Sequence, residues 1–135
     1  MIETPQTILM VDSDAVCREQ NARLLRKRGF RVLEAKGYRD AENIWQRHPG
    51  QVSLLVTAIA LPERNGYELA GRLCASEPGI KVLFISGATG AVISEFHERR
   101  IEGAQTLFRP FEGVKLLKKV TDLLKSDRVR AAEQG

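Results

Sequence analysis

At 135 residues the chain has the usual size of one domain, long enough to bury a core without a metal or disulfide staple. Hydrophobic residues make up 43% and charged residues 28%, proportions that argue against a disordered or fibrous chain. Lys+Arg number 21 against 17 Asp+Glu, and the resulting +4 is shared evenly between the two halves, so bulk charge does not ask for nucleic acid.

Cys17 and Cys74 stand far apart with no Cys or His partner nearby, which predicts reduced, packed thiols rather than a disulfide or a zinc site. The start, Met1-Ile2-Glu3-Thr4-Pro5, lacks the basic and apolar regions of a secretory signal. No apolar run approaches the ~18 residues that span a bilayer. A cytoplasmic protein with no membrane partner is expected.

Thr7–Val11 is a short apolar strand that ends abruptly in Asp12-Ser13-Asp14. Asp14 is placed to cap a helix in which Val16, Cys17, Leu24 and Leu25 recur at helical spacing until Arg28-Gly29. Arg31–Ala35 reads as a second strand, and 40–48 as a helix with Ala41, Ile44 and Trp45 on one face, stopped by Pro49-Gly50. A buried strand over 52–57 leads into a loop over 58–65. Gly66–Ser76 is helical, with Leu69, Ala70 and Leu73 inward, and Glu77-Pro78-Gly79 turns the chain. The run 80–85 is a fourth strand, followed by the loop Ser86-Gly87-Ala88-Thr89-Gly90. Val92, Ile93 and Phe96 mark a helix that ends near Gly103, and Gln105–Phe108 is a brief fifth strand. From Glu112 onward, Leu116, Leu117, Val120, Leu123 and Leu124 form the cleanest amphipathic pattern in the chain.

Five βα units in alternation, with continuous apolar strands, predict a doubly wound parallel sheet covered by helices on both faces. In such sheets ligands bind beyond the carboxyl ends of the strands. Those ends carry Asp12, Ala58, Ser86 and Arg109, so four separated positions should converge.

The chain resembles a response-regulator receiver domain of two-component signalling over residues 5–125, with 126–135 as a polar extension or tail. The resemblance is carried by Ile8-Leu9-Met10-Val11-Asp12, by Leu55-Val56-Thr57-Ala58-Ile59-Ala60-Leu61-Pro62 with Asn65-Gly66 behind it, by Val82-Leu83-Phe84-Ile85-Ser86-Gly87, and by Arg109-Pro110-Phe111. It implies a flavodoxin-like three-layer (βα)5 sandwich with strand order 2-1-3-4-5 and a cis Arg109–Pro110 bond. It also implies a pocket in which an acidic pair after the first strand binds Mg²⁺ and an aspartate after the third accepts a phosphoryl group. A Ser or Thr after the fourth strand and a Lys before the fifth-strand proline would bond the phosphoryl oxygens.

At those positions the chain departs from the pattern. Counted back from Pro62 and from Gly66, the phosphoacceptor position falls on Ala58 both times, and a methyl group can neither attack a phosphodonor nor ligate a metal. The acidic pair is reduced to Asp12 followed by Ser13, which leaves Mg²⁺ binding weak at best, with Asp12 as its one candidate ligand. Arg109 replaces the lysine with a planar fork, and Thr106 occupies the aromatic switch position. Only Asp12 and Ser86 are unaltered. Asp12 and Arg109, opposite charges without a phosphoryl group between them, are expected to pair, with Ser86 as a second tie for the guanidinium.

Other features read more plainly. Asp14 is a helix cap or an outer carboxylate, and Thr57, one residue before the acceptor position, points to the other face of its strand. His48 and His97 lack a second ligand or a nucleophile partner and read as surface histidines. The clusters Arg23-Arg26-Lys27-Arg28 and Lys115-Lys118-Lys119 read as solvated helix faces.

The expectation is a stand-alone, degenerate receiver-like module. It is not an enzyme, needs no cofactor, and acts by protein–protein contact. Its partner would be a histidine kinase or another signalling protein, or a second copy through the helix bearing Val92 and Phe96, the fifth strand and the last helix. One alternative is an ordinary phosphorelay response regulator with residue 58 altered from Asp, although Ser13, Arg109 and Thr106 depart as well. Another is a small-ligand or nucleotide-binding module of the same fold, against which stands the receiver spacing of 57–66.

Overall fold

The computed structural model describes residues 5–87 and 101–134, with side chains in the last helix as far as Lys125. In chain order the elements are β1 (Thr7–Val11), α1 (Ala15–Lys27), β2 (Arg31–Ala35), α2 (Tyr38–Gln46), β3 (Val52–Ala58), α3 (Gly66–Ser76), β4 (Lys81–Ser86), β5 (Gln105–Phe108) and α4 (Gly113–Gln134). The strands form one parallel sheet in the order β2-β1-β3-β4-β5, the expected doubly wound arrangement. The expected helix bearing Val92, Ile93, Phe96 and His97 and the loop residues Ala88, Thr89 and Gly90 lie outside the described residues, as do the side chains of 126–135.

Alternation along the strands divides the core in two. Leu9, Val11, Leu55, Val82 and Phe84 face Ala41 and Trp45 of α2 and Leu69, Ala70 and Leu73 of α3. Ile8, Met10, Leu54, Val56, Leu83, Ile85 and Leu107 face Ala22 and Leu25 of α1 and Leu116, Val120, Leu123 and Leu124 of α4. Burial on both sides is why β1, β3 and β4 read as unbroken apolar runs. Each fully buried Leu or Ile contributes about 1.5–3 kcal/mol through area removed from water.

Three local expectations change. Val16 is 62% exposed rather than packed, because at ~3.6 residues per turn it lies across the helix from Leu25, and α1 buries Ala22 and Leu25 instead. α2 starts at Tyr38 and ends at Gln46, earlier at both ends than expected, because Asp40 accepts from the Lys36 N–H at 3.0 Å inside the first turn and does not begin the helix. β3 and β4 each run one residue further, so Ala58 and Ser86 belong to the sheet and not to loops. Ala58 pairs with Ile85, and Ser86 with Phe108. No helix among the described residues is long and apolar enough to cross a membrane.

Candidate functional site

Because all four pairings are parallel, the carboxyl ends of β1, β3, β4 and β5 lie along one edge of the sheet. Asp12 follows β1 and is held from three sides. Its N–H donates to the Ala35 carbonyl at 3.1 Å, its Oδ1 accepts from the Asp14 N–H at 3.0 Å, and its carbonyl accepts from Arg18 Nη1 at 2.9 Å. The remaining carboxylate oxygen, Oδ2, forms an ion pair with Nη2 of Arg109. The Asp12 side chain is 4% exposed and that of Arg109 35%, so the anion is buried and the cation half-covers it.

Arg109 also reaches the fourth strand, but through its backbone: its N–H donates to the Ser86 carbonyl at 2.9 Å. The expected side-chain tie to Ser86 is absent, since the Ser86 hydroxyl donates to the Gly87 carbonyl at 2.9 Å. The Arg109–Pro110 peptide is cis. Ala58 closes β3, 4% exposed. The buried Thr57 hydroxyl donates to the Ala58 carbonyl at 2.9 Å, so this side chain is occupied on its own strand. Ser13 is exposed beside the site, and Thr106 is buried on β5 with its Oγ1 unpartnered among the described residues.

The loop after β3 is set by one glycine. Gly66 donates its N–H to the Ile59 carbonyl at 2.8 Å, and a Cβ there would lie 2.2 Å from the Ala58 carbonyl oxygen. No side chain fits at that distance, which explains why Gly stands at this spacing from Ala58. Glu63, in the same loop, holds the left-handed conformation at φ 75°. Its carboxylate accepts from the Arg39 N–H at 3.3 Å and pairs with Arg39 Nε at 3.2 Å, tying the loop to the start of α2, which has no side-chain cap of its own.

Asp14 lies outside the ion pair as the N-cap of α1, accepting from the N–H groups of Val16 and Cys17 at 3.0 and 3.2 Å. The Cys17 N–H bond is the first cause that holds its carboxyl below the usual value of 3.8. The same carboxylate accepts from the Cys17 thiol and, with burial, pushes that thiol up, whereas Cys74 is pushed up by burial alone.

Sequence reasoning missed the polar network beneath Asp12. Glu34 of β2 accepts from Arg18 Nε at 3.2 Å and from Arg26 Nη1 at 3.0 Å, and Arg26 also donates to the Val32 carbonyl at 2.8 Å. Arg26 is therefore paired, while its side chain stays 48% exposed, in keeping with the solvated helix face expected of its cluster. The available signal was the helical spacing of Arg18 and Arg26 on α1 beside the acidic residue of β2. His48 is half-buried at the end of α2, its Nδ1 2.8 Å from the Ile44 carbonyl. Among the described residues no three His, Cys, Asp or Glu side chains gather as a metal-holding group.

A parallel five-stranded sheet in this order, with Asp12, Ala58, Ser86 and Arg109 at its strand ends, defines a flavodoxin-like domain of the receiver type. The chain belongs to the response regulator receiver domain family, whose model matches residues 8–121, and is thereby a receiver domain of two-component signalling. It is similar to the response regulator receiver protein CpdR of Brucella abortus, 29% identical over 117 residues that cover 87% of this chain and 95% of CpdR. It is also similar to the sensor kinase CckA of Brucella abortus, 33% identical over 81 residues, 60% of this chain, while spanning 9% of the length of that kinase. Among solved structures, the receiver domain of the hybrid histidine kinase CckA matches with a TM-score of 0.74 and 28% identity, covering 87% of this chain and 98% of that domain.

Proposed function

We propose that this chain is a degenerate receiver that signals by protein–protein contact and takes no phosphoryl group at residue 58. The observation that carries the reading is the Asp12–Arg109 ion pair, formed at strand ends where β3 offers only the methyl group of Ala58. A phosphoryl acceptor must supply a nucleophilic oxygen at that point, and alanine has none.

The residues present do not fit Mg²⁺. That ion takes oxygen ligands in near-octahedral geometry, usually including one or two carboxylates. Here Asp12 commits Oδ1 to the Asp14 N–H and Oδ2 to Arg109, Asp14 is engaged as a helix cap, and Ser13 carries no charge. No step of the proposed function passes through a metal, and none calls for a cofactor or for catalysis. Arg109 instead supplies the positive charge at this edge and links β1 to β5 by its side chain and β4 to β5 by its backbone.

The module is taken as residues 5–125, with the backbone of α4 running on into 126–135. The likeness to CpdR supports a response-regulator role, and the likeness to CckA supports a histidine kinase or a companion signalling protein as partner. Phe108, 42% exposed on β5, offers an apolar anchor for a second copy through β5 and the flanking helices.

The test is incubation with acetyl phosphate and Mg²⁺, read by intact mass, with beryllofluoride binding followed by NMR in parallel. No adduct and no shift changes at Asp12, Ala58 or Ser86 are expected. A stoichiometric acyl phosphate in the unaltered chain overturns the proposal. The Ala58→Asp variant is expected to remain a poor acceptor while Arg109 occupies Asp12, and rapid labelling of it would support an ordinary phosphorelay regulator instead.

A further inference from the structure

One residue of each basic cluster, Arg28 and Lys118, meets the other on one flank of the fold, away from the strand-end site. Arg28 at the end of α1 and Phe30 just beyond it face Val114, Leu117, Lys118 and Thr121 of α4 across an open groove of about 540 Å³. Its floor is apolar: Phe30 and Leu117 are half-buried against the core, and Val114 is 65% exposed with nothing covering it among the described residues. The Thr121 hydroxyl donates to the Leu117 and Lys118 carbonyls at 2.8 and 3.0 Å, so it makes no unmet polar demand on the groove.

The rim carries two cations, Arg28 and Lys118, and one carboxylate, Asp122. Arg28 has no carboxylate partner among the described residues, in contrast with Arg26 two positions earlier, which Glu34 holds. Lys118 meets Asp122 at 3.2 Å, but their side chains are 76% and 52% exposed, so this pair is solvated and readily exchanged. Lys27, beside Arg28, lines the adjoining surface with Arg23, Arg26, Glu19 and Glu34, a surface of mixed charge. The groove is on the α1 side of α4, whereas Lys119, reaching Gln105 of β5 at 3.2 Å, marks the opposite side.

We propose that this groove docks an acidic amphipathic helix of a partner protein. Apolar side chains one turn apart on such a helix would sit on Phe30, Val114 and Leu117, and carboxylates flanking them would meet Arg28 and Lys118. A second copy of this chain is the less fitting occupant, because each face carries two cations, Arg28 and Lys118, against one carboxylate, Asp122, and the seam would hold a net excess of positive charge. A bilayer suits a protruding apolar surface better than a concave one walled by two helices. The inference shares with the proposed function only that output passes through a partner. Docking is measured without a phosphodonor, so failure of the phosphorylation reading and failure of this one are separate results.

The test is titration of the full, ¹⁵N-labelled chain with a synthetic helical peptide bearing Leu on one face and Glu around it. A Lys-for-Glu peptide and phosphatidylcholine–phosphatidylserine vesicles run in parallel. Saturable shifts centred on Phe30, Val114, Leu117 and Thr121 are expected with the acidic peptide alone. They should weaken as salt rises from about 0.1 to 1 M and the Debye length falls from ~10 to ~3 Å. Val114→Glu and Arg28→Glu, both on the exposed surface and checked for folding by circular dichroism, should each weaken binding about tenfold. The proposal is overturned by shifts centred elsewhere, by equal binding of the Lys peptide, or by binding that Arg28→Glu leaves unchanged. Binding of vesicles without the peptide would assign the face to a membrane, and a dimer in sedimentation that Val114→Glu dissolves would assign it to self-association.

Discussion

Replacing Arg109 with Gln removes the cation from a carboxylate that has few alternatives. Asp12 is 4% exposed in its side chain, and its other oxygen already accepts the Asp14 N–H. Breaking a fully buried pair by deleting one partner costs about 3–5 kcal/mol, because the other charge is left unpaired. Exposed pairs are worth about 0.2–1 kcal/mol. Arg109, 35% exposed, lies between these cases, so the expected loss is about 2–3 kcal/mol. The converse variant, Asp12→Asn, leaves a guanidinium that water can reach and should cost only about 1 kcal/mol. The double variant leaves no unpaired charge, so it should be more stable than the sum of the single losses implies, with a coupling of about 1–2 kcal/mol. Urea unfolding of the four proteins, followed by circular dichroism, gives each value, provided the m-values agree. Losses that simply add, or an Arg109→Gln variant within about 0.5 kcal/mol of the parent, would show that the guanidinium does not hold Asp12.

Gly66→Ala forces a Cβ to within 2.2 Å of the Ala58 carbonyl oxygen, so the loop must shift. Overpacking of this kind costs about 1–3 kcal/mol, and an unchanged urea midpoint would refute the close approach. Asp14 has its carboxyl lowered in the folded state, first by the Cys17 N–H, so its contribution is present above the unfolded value and lost as pH falls through the folded one. Asp14→Asn should therefore keep the cap at neutral pH and flatten the acid limb of the stability profile below about pH 4, an effect read from thermal midpoints across pH 2–7. The same substitution removes the carboxylate that raises Cys17 and should speed alkylation of Cys17 near pH 8 while leaving Cys74, raised by burial, unchanged; peptide mass mapping distinguishes the two thiols.

Much of the fold was legible because both faces of this sheet are buried. Continuous apolar strands such as Leu54-Leu55-Val56 and Val82-Leu83-Phe84-Ile85 have few other uses in a chain of this size, and Asp14 marks a helix start by chemistry that acts locally. Gly66 placed the acceptor position at Ala58, and their spacing has an equally local reason, the absence of room for a Cβ against the Ala58 carbonyl. What was not legible depends on register or on rotamer choice. Glu34 meets Arg18 and Arg26 only once β2 is set beside β1, with Glu34 opposite Met10. The Ser86 hydroxyl could turn toward Arg109 or toward its own chain, and composition does not decide between them. Val16 misled because an apolar residue in the first turn of a helix matches the periodic pattern loosely while lying off the buried stripe.

On the proposed reading, the departures at Ser13, Ala58 and Arg109 act as one set. One carboxylate and one guanidinium leave the strand ends neutral, with no charge for a phosphoryl group or a metal ion to balance. A fork is suited to this task where a lysine is not, since Arg109 fixes Asp12 through one nitrogen while its planar group stays oriented. A receiver closed in this way loses its usual input, because a ligand without differential affinity shifts no equilibrium. A partner must then supply the bias through its own contacts, and moving a two-state module from 1:99 to 99:1 takes about 5.5 kcal/mol of differential affinity. α4 is the element through which such a bias would travel. Leu117 and Thr121 line the groove on its α1 side, Lys119 reaches Gln105 on its β5 side, and Leu116 and Val120 lock both sides to the core. On that proposal a helix docked on one flank would load the same element that contacts β5 on the other, the strand that carries Thr106 and leads into Arg109.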